Sequence, residues 1–214
     1  MNYKIAILIT TFLRDNLLYK TIQTIVDNYT KDCIILIGDQ GYTNSEKDIT
    51  IDYYKSQIPL EYYPLSFDCG ISIARNFLVQ KAFEMNIPYC LVMPDSIQFI
   101  ESYNFESLFE DLDDNIIINF KLKNVEPIPL KNIFLSKTDL LINLWDKEMK
   151  LFEYRLALIE WNKRGGKMSW NEDYNFKKIS SRSTEEYQTY CKRIKEYKKL
   201  SVCKLKEQNE NPNL

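Results

Sequence analysis

Polar residues that could do chemistry stand at the ends of three apolar runs of the chain. Thr10 and Thr11 close the first run, and Asp39 closes the second, just before Gly41. Asp95 follows a later run, directly after a proline. In an open α/β sheet, backbone groups and helix N-termini converge at the carboxyl ends of the strands, and ligands bind there. The placement of these residues therefore predicts one assembled binding site.

A further motif, Asp-Cys-Gly-Ile-Ser-Ile-Ala-Arg-Asn at residues 68–76, leads into a predicted helix. Gly70 allows the backbone to approach a ligand closely. Arg75 lies near the helix N-terminus, where its guanidinium could contact a base, a carboxylate or a diphosphate. Asn76 could fix the loop that carries Asp95. Alternatively, Arg75 is an ordinary surface residue, because alanine and arginine are common helix formers.

The composition excludes several kinds of chemistry. The chain has 214 residues and no histidine, which excludes mechanisms that pair histidine with serine, cysteine or a metal. A general base must then be an aspartate or glutamate, or less readily a lysine or tyrosine. The net charge of −2 argues against a surface built to neutralise the phosphates of nucleic acid.

The sequence predicts a cytoplasmic protein without a membrane span. No apolar run reaches the roughly 20 residues that a transmembrane helix needs, and the N-terminus lacks the pattern of a signal peptide. The five cysteines are odd in number and show no Cys-x-x-Cys spacing, as expected for a reduced protein.

Hydrophobic periodicity predicts an α/β fold. Short apolar runs are typical of buried strands, and i, i+4 spacings of apolar residues are typical of amphipathic helices. The predicted strands are 4–10, 33–37, 60–65, 89–93, 97–100, 116–122, 133–136 and 167–170. The predicted helices are 14–28, 46–57 with Ser45 as its cap, 71–85, 104–112 and 151–164. Strand–helix alternation in the first half indicates a parallel sheet with right-handed crossovers.

One domain is expected over residues 1–182, followed by a helical C-terminal extension over 183–214 that frays at its end. Basic residues alternate with tyrosines in this extension, a pattern that could bind nucleic acid. Acidic residues dilute the positive charge, so a docking helix with a solvated face is the preferred interpretation.

The order of the motifs resembles that of GT-A type glycosyltransferases of the large family-2-like group, within the nucleotide-diphospho-sugar transferase superfamily. The resemblance extends over about three quarters of the chain. Its pieces are Thr10-Thr11-Phe12-x-Arg14, then Asp39-Gln40-Gly41, then Gly70 with Ala74-Arg75-Asn76. It implies a GT-A (Rossmann-like) fold, in which helices flank a mixed, mostly parallel sheet. It also implies transfer of a sugar from a nucleoside-diphosphate donor to an acceptor hydroxyl.

The resemblance implies a set of residues that bind the nucleotide-sugar donor. They are Thr10, Thr11, Arg14, Asp39, Gly70, Arg75, Asn76 and Asp95. Asp39 would accept the imide N–H of uracil or the amino group of another base. The alternative is that Asp39 only begins the turn before Gly41.

The segment around Asp95 departs from the family's pattern. Relatives carry Asp-x-Asp or Asp-Asp-Asp there, and the outer carboxylates hold Mn²⁺ or Mg²⁺ on the diphosphate. Pro94 and Ser96 replace them, and a hard cation needs several oxygen ligands. We therefore expect weak or no dependence on a divalent metal. Either Asp95 and water bind the ion, or cations such as Arg75 and Lys177 neutralise the diphosphate, or Asp95 only caps a turn.

Glu153 is the candidate general base. The segment from Trp145 to Tyr154 resembles the family's acceptor-side segment, in which a carboxylate removes the proton from the acceptor hydroxyl. Glu153 matches the glutamate of that segment, whereas Tyr154 and Leu156 replace its histidine and aspartate. Inversion by direct displacement is the expected mechanism. Alternatively, Glu153 is a first-turn glutamate favoured by the helix dipole.

Two other functions stay open at this point. A catalytically degenerate module that binds a nucleotide-sugar or a glycan would need neither a metal nor a base. A viral glycosyltransferase that acts on a modified DNA base would fit the small size, although the net charge of −2 speaks against it. The acceptor is therefore expected to be a glycan or another hydroxyl compound, with a modified DNA base as the alternative.

Overall fold

The computed structural model describes residues 3–28, 32–112, 115–123, 125–150, 153–174 and 176–179. The predicted helical extension over 183–214, and the predicted domain boundary at 182, lie outside these residues. Within the described ranges, no helix is long and apolar enough to cross a membrane.

Strands and helices form largely where the hydrophobic patterns predict them. The strands are β1 (Ile5–Thr11), β2 (Cys33–Asp39), β3 (Leu60–Pro64), β4 (Tyr89–Pro94), β5 (Ile97–Phe99), β6 (Ile116–Phe120), β7 (Phe134–Lys137), β8 (Lys167–Asn171) and β9 (Phe176–Lys178). The α-helices are α1 (Asp15–Asp27), α2 (Ser45–Lys55), α3 (Ile71–Glu84) and α4 (Glu153–Lys163). Short 3₁₀ helices cover Phe105–Leu108 and Asp139–Leu141.

Seven strands form one mixed sheet in the order β3-β2-β1-β4-β7-β6-β8. The first four of these strands are parallel to one another. β7 runs antiparallel to both of its neighbours, and β8 is parallel to β6. β5 and β9 form a separate antiparallel pair. The predicted mixed, mostly parallel sheet flanked by helices is confirmed.

Helices cover both faces of the seven-stranded sheet. α1 and α2 pack on one face, toward which Ile7 and Ile9 of β1 point. α3 and α4 pack on the other face, against Ala6 and Leu8 of the same strand. Because both faces are covered, the central strands are continuous apolar runs. The alternation of side chains along each strand then decides the face on which a strand-end residue lies.

Three local details differ from the predictions. α2 is capped by Asn44, whose side-chain oxygen accepts from the backbone N–H of Lys47, so the prediction of Ser45 as the cap is wrong. The predicted helix over 104–112 is a 3₁₀ helix of four residues. The sequence does not predict β9, because a strand of three residues gives too short a pattern to recognise.

Candidate functional site

Asp95 lies in the turn between β4 and β5, and its carboxylate is fully buried. Thr11, at the end of β1, donates a hydrogen bond from Oγ1 to Oδ2 of Asp95 at 2.7 Å. Arg14, just before α1, places Nη2 2.5 Å from Oδ1. Thr21 of α1 donates from Oγ1 to the backbone carbonyl of Asp95 at 2.8 Å. The β4–β5 turn is therefore fixed onto β1 and α1.

A second buried carboxylate, Asp39, ends β2, which pairs with β1 on the side away from β4. Its Oδ1 accepts from the backbone N–H of Gly41 at 2.7 Å. Its Oδ2 accepts from Lys47 Nζ at 2.8 Å and from the hydroxyl of Tyr62 at 2.7 Å. Lys47 Nζ also lies 2.8 Å from Oδ1 of Asp15. One buried ammonium thus joins two carboxylates, from β2 and from the start of α1.

These residues form one group at the carboxyl ends of β1, β2 and β4, which we call the carboxylate cluster. It consists of Thr11, Arg14, Asp15, Asp39, Lys47, Tyr62 and Asp95. Burial raises the pKa of Asp95, Arg14 opposes this shift, and the charge of Asp39 adds to it. Burial lowers the pKa of Lys47, but its bonds to Asp15 and Asp39 outweigh burial, so the pKa is raised. The charge of Asp39 therefore acts on Asp95 across the cluster.

Arg75 and Glu153 form a buried ion pair on the other face of the sheet. Arg75 of α3 places Nη1 3.0 Å from Oε1 of Glu153, the first residue of α4. The same nitrogen donates to the carbonyl of Leu130 at 3.4 Å, and the guanidinium lies 5.5 Å from the ring centroid of Trp145. The side chains are 1% and 8% exposed, respectively. Burial lowers the pKa of Arg75, and the charge of Glu153 opposes that shift.

The entry to α3 is held in close contact with two other segments. Gly70 caps this helix with a φ of 98° and donates its N–H to Oε1 of Gln40 at 2.8 Å. A Cβ at this position would lie 2.9 Å from Cγ of Lys150. The close approach and the left-handed backbone both require glycine, as the motif suggests. Lys150 itself donates from Nζ to the carbonyl of Asp68 at 2.6 Å.

The structure divides the predicted donor-binding residues between two faces of the sheet. The α1–α2 face carries Thr11, Arg14, Asp39 and Asp95. The α3–α4 side carries Thr10, Gly70, Arg75 and Asn76. Asp39 and Arg75 therefore lie on opposite faces of the sheet, and not around one pocket on one face as the sequence predicts. A single ligand could contact both groups only by passing over the carboxyl edge of the sheet.

Two expected roles change with this geometry. Arg75 is neither a surface residue nor a member of the carboxylate cluster, because Glu153 is its charged partner. Asn76 donates from Nδ2 to the carbonyl of Trp145 at 2.7 Å, and its Oδ1 accepts from the N–H of the same residue at 3.3 Å. Asn76 therefore fixes the segment that precedes α4, and the prediction that it fixes the loop of Asp95 is wrong.

Three members of the carboxylate cluster are not predicted from the sequence, namely Asp15, Lys47 and Tyr62. Lys47 has a detectable signal, because Lys47, Ile51 and Tyr54 are spaced by four and three residues and are all buried on α2. A lysine on the apolar face of a helix needs an anionic partner. Tyr62 has no comparable signal, because β3 is only partly buried and its burial does not alternate. Burial raises the pKa of Tyr62, which keeps its hydroxyl a hydrogen-bond donor.

An exposed aromatic pair lies beside the carboxylate cluster. Tyr42 and Phe67 stack with ring centroids 4.5 Å apart, and they are 60% and 44% exposed. The backbone carbonyl of Tyr42 accepts from Lys47 Nζ at 2.7 Å, which ties the pair to the cluster. Exposed aromatic faces of this kind can stack on a base or on the apolar face of a sugar ring.

The residues around Asp95 do not fit a divalent metal ion. In the described part of the chain, no group of three or more His, Cys, Asp or Glu side chains could hold one. Both carboxylate oxygens of Asp95 already contact protein groups, one of them the guanidinium of Arg14. That guanidinium neutralises the carboxylate on the oxygen that a hard cation would need. We therefore assign no step of any reaction to a metal at this position.

Replacing Arg14 by glutamine is expected to destabilise the protein by about 3–5 kcal/mol, because it leaves the buried charge of Asp95 without its partner. Without Arg14, the pKa of Asp95 rises further, so acid can relieve the unpaired charge by protonation. The loss measured by urea unfolding should therefore be larger at pH 8 than at pH 5.

Lys20→Gln provides the control for this substitution. Lys20 is exposed on α1. Removing its positive charge should change the free energy of unfolding by no more than about 0.5 kcal/mol. A loss in Arg14→Gln that matched the control, or that was equal at both pH values, would show that the Arg14–Asp95 pair does not stabilise the fold.

Solved structures of known proteins resemble this fold. TarS of S. aureus, residues 1–349 in complex with UDP-GlcNAc, aligns with a TM-score of 0.65 and 15% identity over 83% of this chain and 59% of that chain. The mannosyltransferase PcManGT from Pyrobaculum calidifontis, in complex with GDP-Man and Mn²⁺, aligns with a TM-score of 0.69 and 10% identity over 87% of this chain and 60% of that chain. GalNAc-T7, with UDP, GalNAc and Mn²⁺, gives 0.65 and 10% over 84% of this chain and 44% of that chain.

At this level of identity, the similarity shows the fold alone. The predicted GT-A fold is confirmed by these neighbours, which are GT-A glycosyltransferases. No protein-family model matches the sequence, and no curated protein matches it. The chain spans between 37% and 60% of the TarS chains that it matches.

Proposed function

We propose that this protein is a glycosyltransferase that moves a sugar from a nucleoside-diphosphate donor to an acceptor hydroxyl. One observation carries the proposal: two buried carboxylates, Asp39 at the end of β2 and Asp95 just after β4, lie at the carboxyl edge of a GT-A fold, on either side of β1, and each has a cationic side chain as its partner. Buried charges cost stability unless they are paired and hydrogen-bonded. Their presence at the ligand-binding edge of the sheet is therefore explained more simply by function than by folding.

Asp39 is the proposed contact for the base of the nucleotide. A carboxylate offers about four acceptor positions, and internal donors occupy three of them, from Gly41, Lys47 and Tyr62. The remaining position could accept one N–H from a base. Lys47 donates both to Asp39 and to the backbone carbonyl of Tyr42, and the exposed Tyr42–Phe67 pair could stack on the base or on the sugar.

Glu153 is the proposed general base for an inverting displacement. In this step the acceptor oxygen attacks the anomeric carbon, Glu153 takes the hydroxyl proton, and the bond from the anomeric carbon to the diphosphate oxygen breaks. The bond from Arg75 to Oε1 fixes the orientation of the carboxylate. The 8% of the side chain that stays exposed is the part that an acceptor would have to reach.

The experiment that tests this proposal measures release of nucleoside diphosphate from a panel of nucleotide-sugars. Uridine, guanosine, thymidine and cytidine donors are incubated with the full chain in EDTA and, separately, in Mn²⁺. Release that increases when a glycan acceptor is added supports a transferase. Activity that EDTA abolishes and Mn²⁺ restores would contradict the expected weak dependence on a metal.

A nucleotide-sugar binding module without catalysis is the second candidate. Two observations favour it: Arg14 neutralises Asp95, and Arg75 engages Glu153. Both ion pairs reduce the availability of a carboxylate for chemistry. Binding of a nucleotide-sugar without any measurable hydrolysis or transfer, with all common donors, would select this candidate over the enzyme.

Asp39→Asn is expected to weaken binding of a nucleoside diphosphate by about 1–3 kcal/mol, because one amide oxygen cannot accept as many N–H groups as a carboxylate. Isothermal titration calorimetry measures the change. Asp48→Asn, at an exposed position of α2, is the matched control and should leave the affinity unchanged. Equal affinities for both variants would remove Asp39 from the binding site.

A further inference from the structure

β9 is fixed beside the turn that carries Asp95. In the pairing of β5 with β9, Lys178 stands opposite Ile97. The N–H of Ile179 also donates to the carbonyl of Ser96 at 2.8 Å. The side chain of Phe176 is buried in the core of the α1–α2 face. Because side chains alternate along a strand, Lys178 shares the side of Phe176.

Lys178 connects β9 with the loop that precedes β7. Its Nζ donates to Oδ1 of Asn132 at 2.9 Å, and the residue before Asn132 is Lys131. The ammonium of Lys131 lies 5.5 Å from the ring centroid of Tyr154, in the first turn of α4. A short polar path therefore runs from the Asp95 turn, through Lys178, to the start of the helix that carries Glu153.

Positive charge accumulates along this path. Burial lowers the pKa of Lys178, and the charges of Lys131 and Arg14 lower it further. The geometry agrees: Lys178 Nζ contacts Asn132, the residue after Lys131, and the pairing of β9 with β5 places Lys178 beside the turn of Asp95, which Arg14 contacts. Asp95 compensates the charge of Arg14. Lys178 contacts the neutral amide of Asn132, and Lys131 contacts the ring of Tyr154. Within the described residues, neither lysine pairs with a carboxylate.

We propose that Arg14, Lys131 and Lys178 form a metal-independent binding site for a diphosphate, which we call the cationic triad. The proposal rests on the proposed function, because the diphosphate would belong to the nucleoside-diphosphate donor. A bound diphosphate would offset the repulsion among the three cations, and lysines bind phosphate groups as point charges. The triad thus supplies, next to Asp95, positive charge that could stabilise the leaving diphosphate.

This assignment also refines the expectation from the sequence that cations such as Arg75 and Lys177 neutralise the diphosphate. Arg75 is paired with Glu153 and is buried. Lys177 stands opposite Gln98, and it is exposed, as is Lys178. Strand alternation places its side chain on the other side of β9 from that of Lys178. Loss of the charge of Lys178 should therefore weaken diphosphate binding, whereas loss of the charge of the neighbouring Lys177 should not.

The test measures binding of inorganic pyrophosphate, uridine diphosphate and guanosine diphosphate to the full chain by isothermal titration calorimetry in EDTA. Lys178→Gln and Lys131→Gln are each expected to weaken pyrophosphate binding about 10–100-fold, because each removes one charge-assisted contact. Lys177→Gln is the matched control, because Lys177 is equally exposed but lies on the other side of β9. It is expected to change the affinity by less than about threefold, since salt screens a more distant charge. Urea unfolding of each variant verifies that it is folded.

The outcomes separate the cationic triad from the proposed function. The triad would be overturned if nucleoside diphosphates bound equally well to all three variants. It would also be overturned if pyrophosphate bound only with Mn²⁺. Either result would leave the donor proposal standing. Pyrophosphate binding that depends on Lys131 and Lys178, with no added affinity for either nucleoside diphosphate, would support the triad and speak against the donor. Absence of binding by all three compounds at millimolar concentration would overturn both.

Discussion

Arg75→Met is expected to lower the free energy of unfolding by about 3–5 kcal/mol, because it leaves Glu153 as a buried carboxylate without its charged partner. The guanidinium it removes is 1% exposed and also contacts the ring of Trp145 and the carbonyl of Leu130. Urea unfolding at pH 7 measures the change. The double variant Arg75→Met with Glu153→Leu should recover part of the loss, since no unpaired charge then stays buried.

Lys81→Met serves as the control for Arg75→Met. Lys81 belongs to the same helix and pairs with Glu84, but both side chains are substantially exposed. Solvent screens such a pair, so the urea midpoint should hardly change. Equal destabilisation by Arg75→Met and by the control, or a double variant less stable than either single variant, would contradict a stabilising buried pair.

Glu153→Gln is expected to lower the turnover of the proposed transferase by about 10²–10⁴, the usual cost of losing a positioned general base. Glutamine keeps the shape and can still accept the bond from Arg75 through Oε1, but it cannot take the proton of the acceptor hydroxyl. Release of nucleoside diphosphate at saturating donor measures the effect. Because the substitution also leaves the charge of Arg75 uncompensated, the fraction of folded protein must be determined at the assay temperature.

Glu160→Gln, on the same helix, is the control for the turnover measurement. Oε1 of Glu160 lies 2.9 Å from Nε of Arg164, and the two side chains are 42% and 35% exposed, respectively. Solvent screens such a pair, so neither turnover nor folding should change measurably. Turnover of Glu153→Gln within a few-fold of the parent, with intact donor binding, would remove Glu153 from the mechanism and leave it as the partner of Arg75.

The strands of the sheet and the helices that cover it could be predicted from the sequence because both faces of the sheet are buried. A strand covered on both faces needs a continuous apolar run. β1 and β2 end such runs with Thr11 and Asp39, and Asp95 directly follows the run of β4. The short pair of β5 and β9 depends on a long-range pairing instead. β9 has three residues, two of them lysines, so its local sequence gives no pattern that predicts the pairing with β5.

The arrangement of the site was accessible only in part, because its ion pairs join distant segments. The parallel sheet rule brings Asp39 and Asp95 to one edge, as predicted. The pairing of Arg75 with Glu153 crosses 78 positions of the chain, and no periodicity encodes it. Lys47 is the exception, because its position on the buried face of α2 signals that a carboxylate must meet it.

The binding of nucleoside diphosphates to the carboxyl edge of the sheet is tested most directly by thermal unfolding with a panel of nucleoside diphosphates and their sugars, with EDTA or Mn²⁺. A ligand at 100 times its Kd should raise the free energy of unfolding of the parent by about 2.7 kcal/mol. We predict such stabilisation in EDTA by at least one nucleoside diphosphate, and a smaller stabilisation of Asp39→Asn at the same concentration. Absence of stabilisation by every member of the panel, or equal stabilisation of Asp39→Asn, would contradict a nucleotide site at this edge.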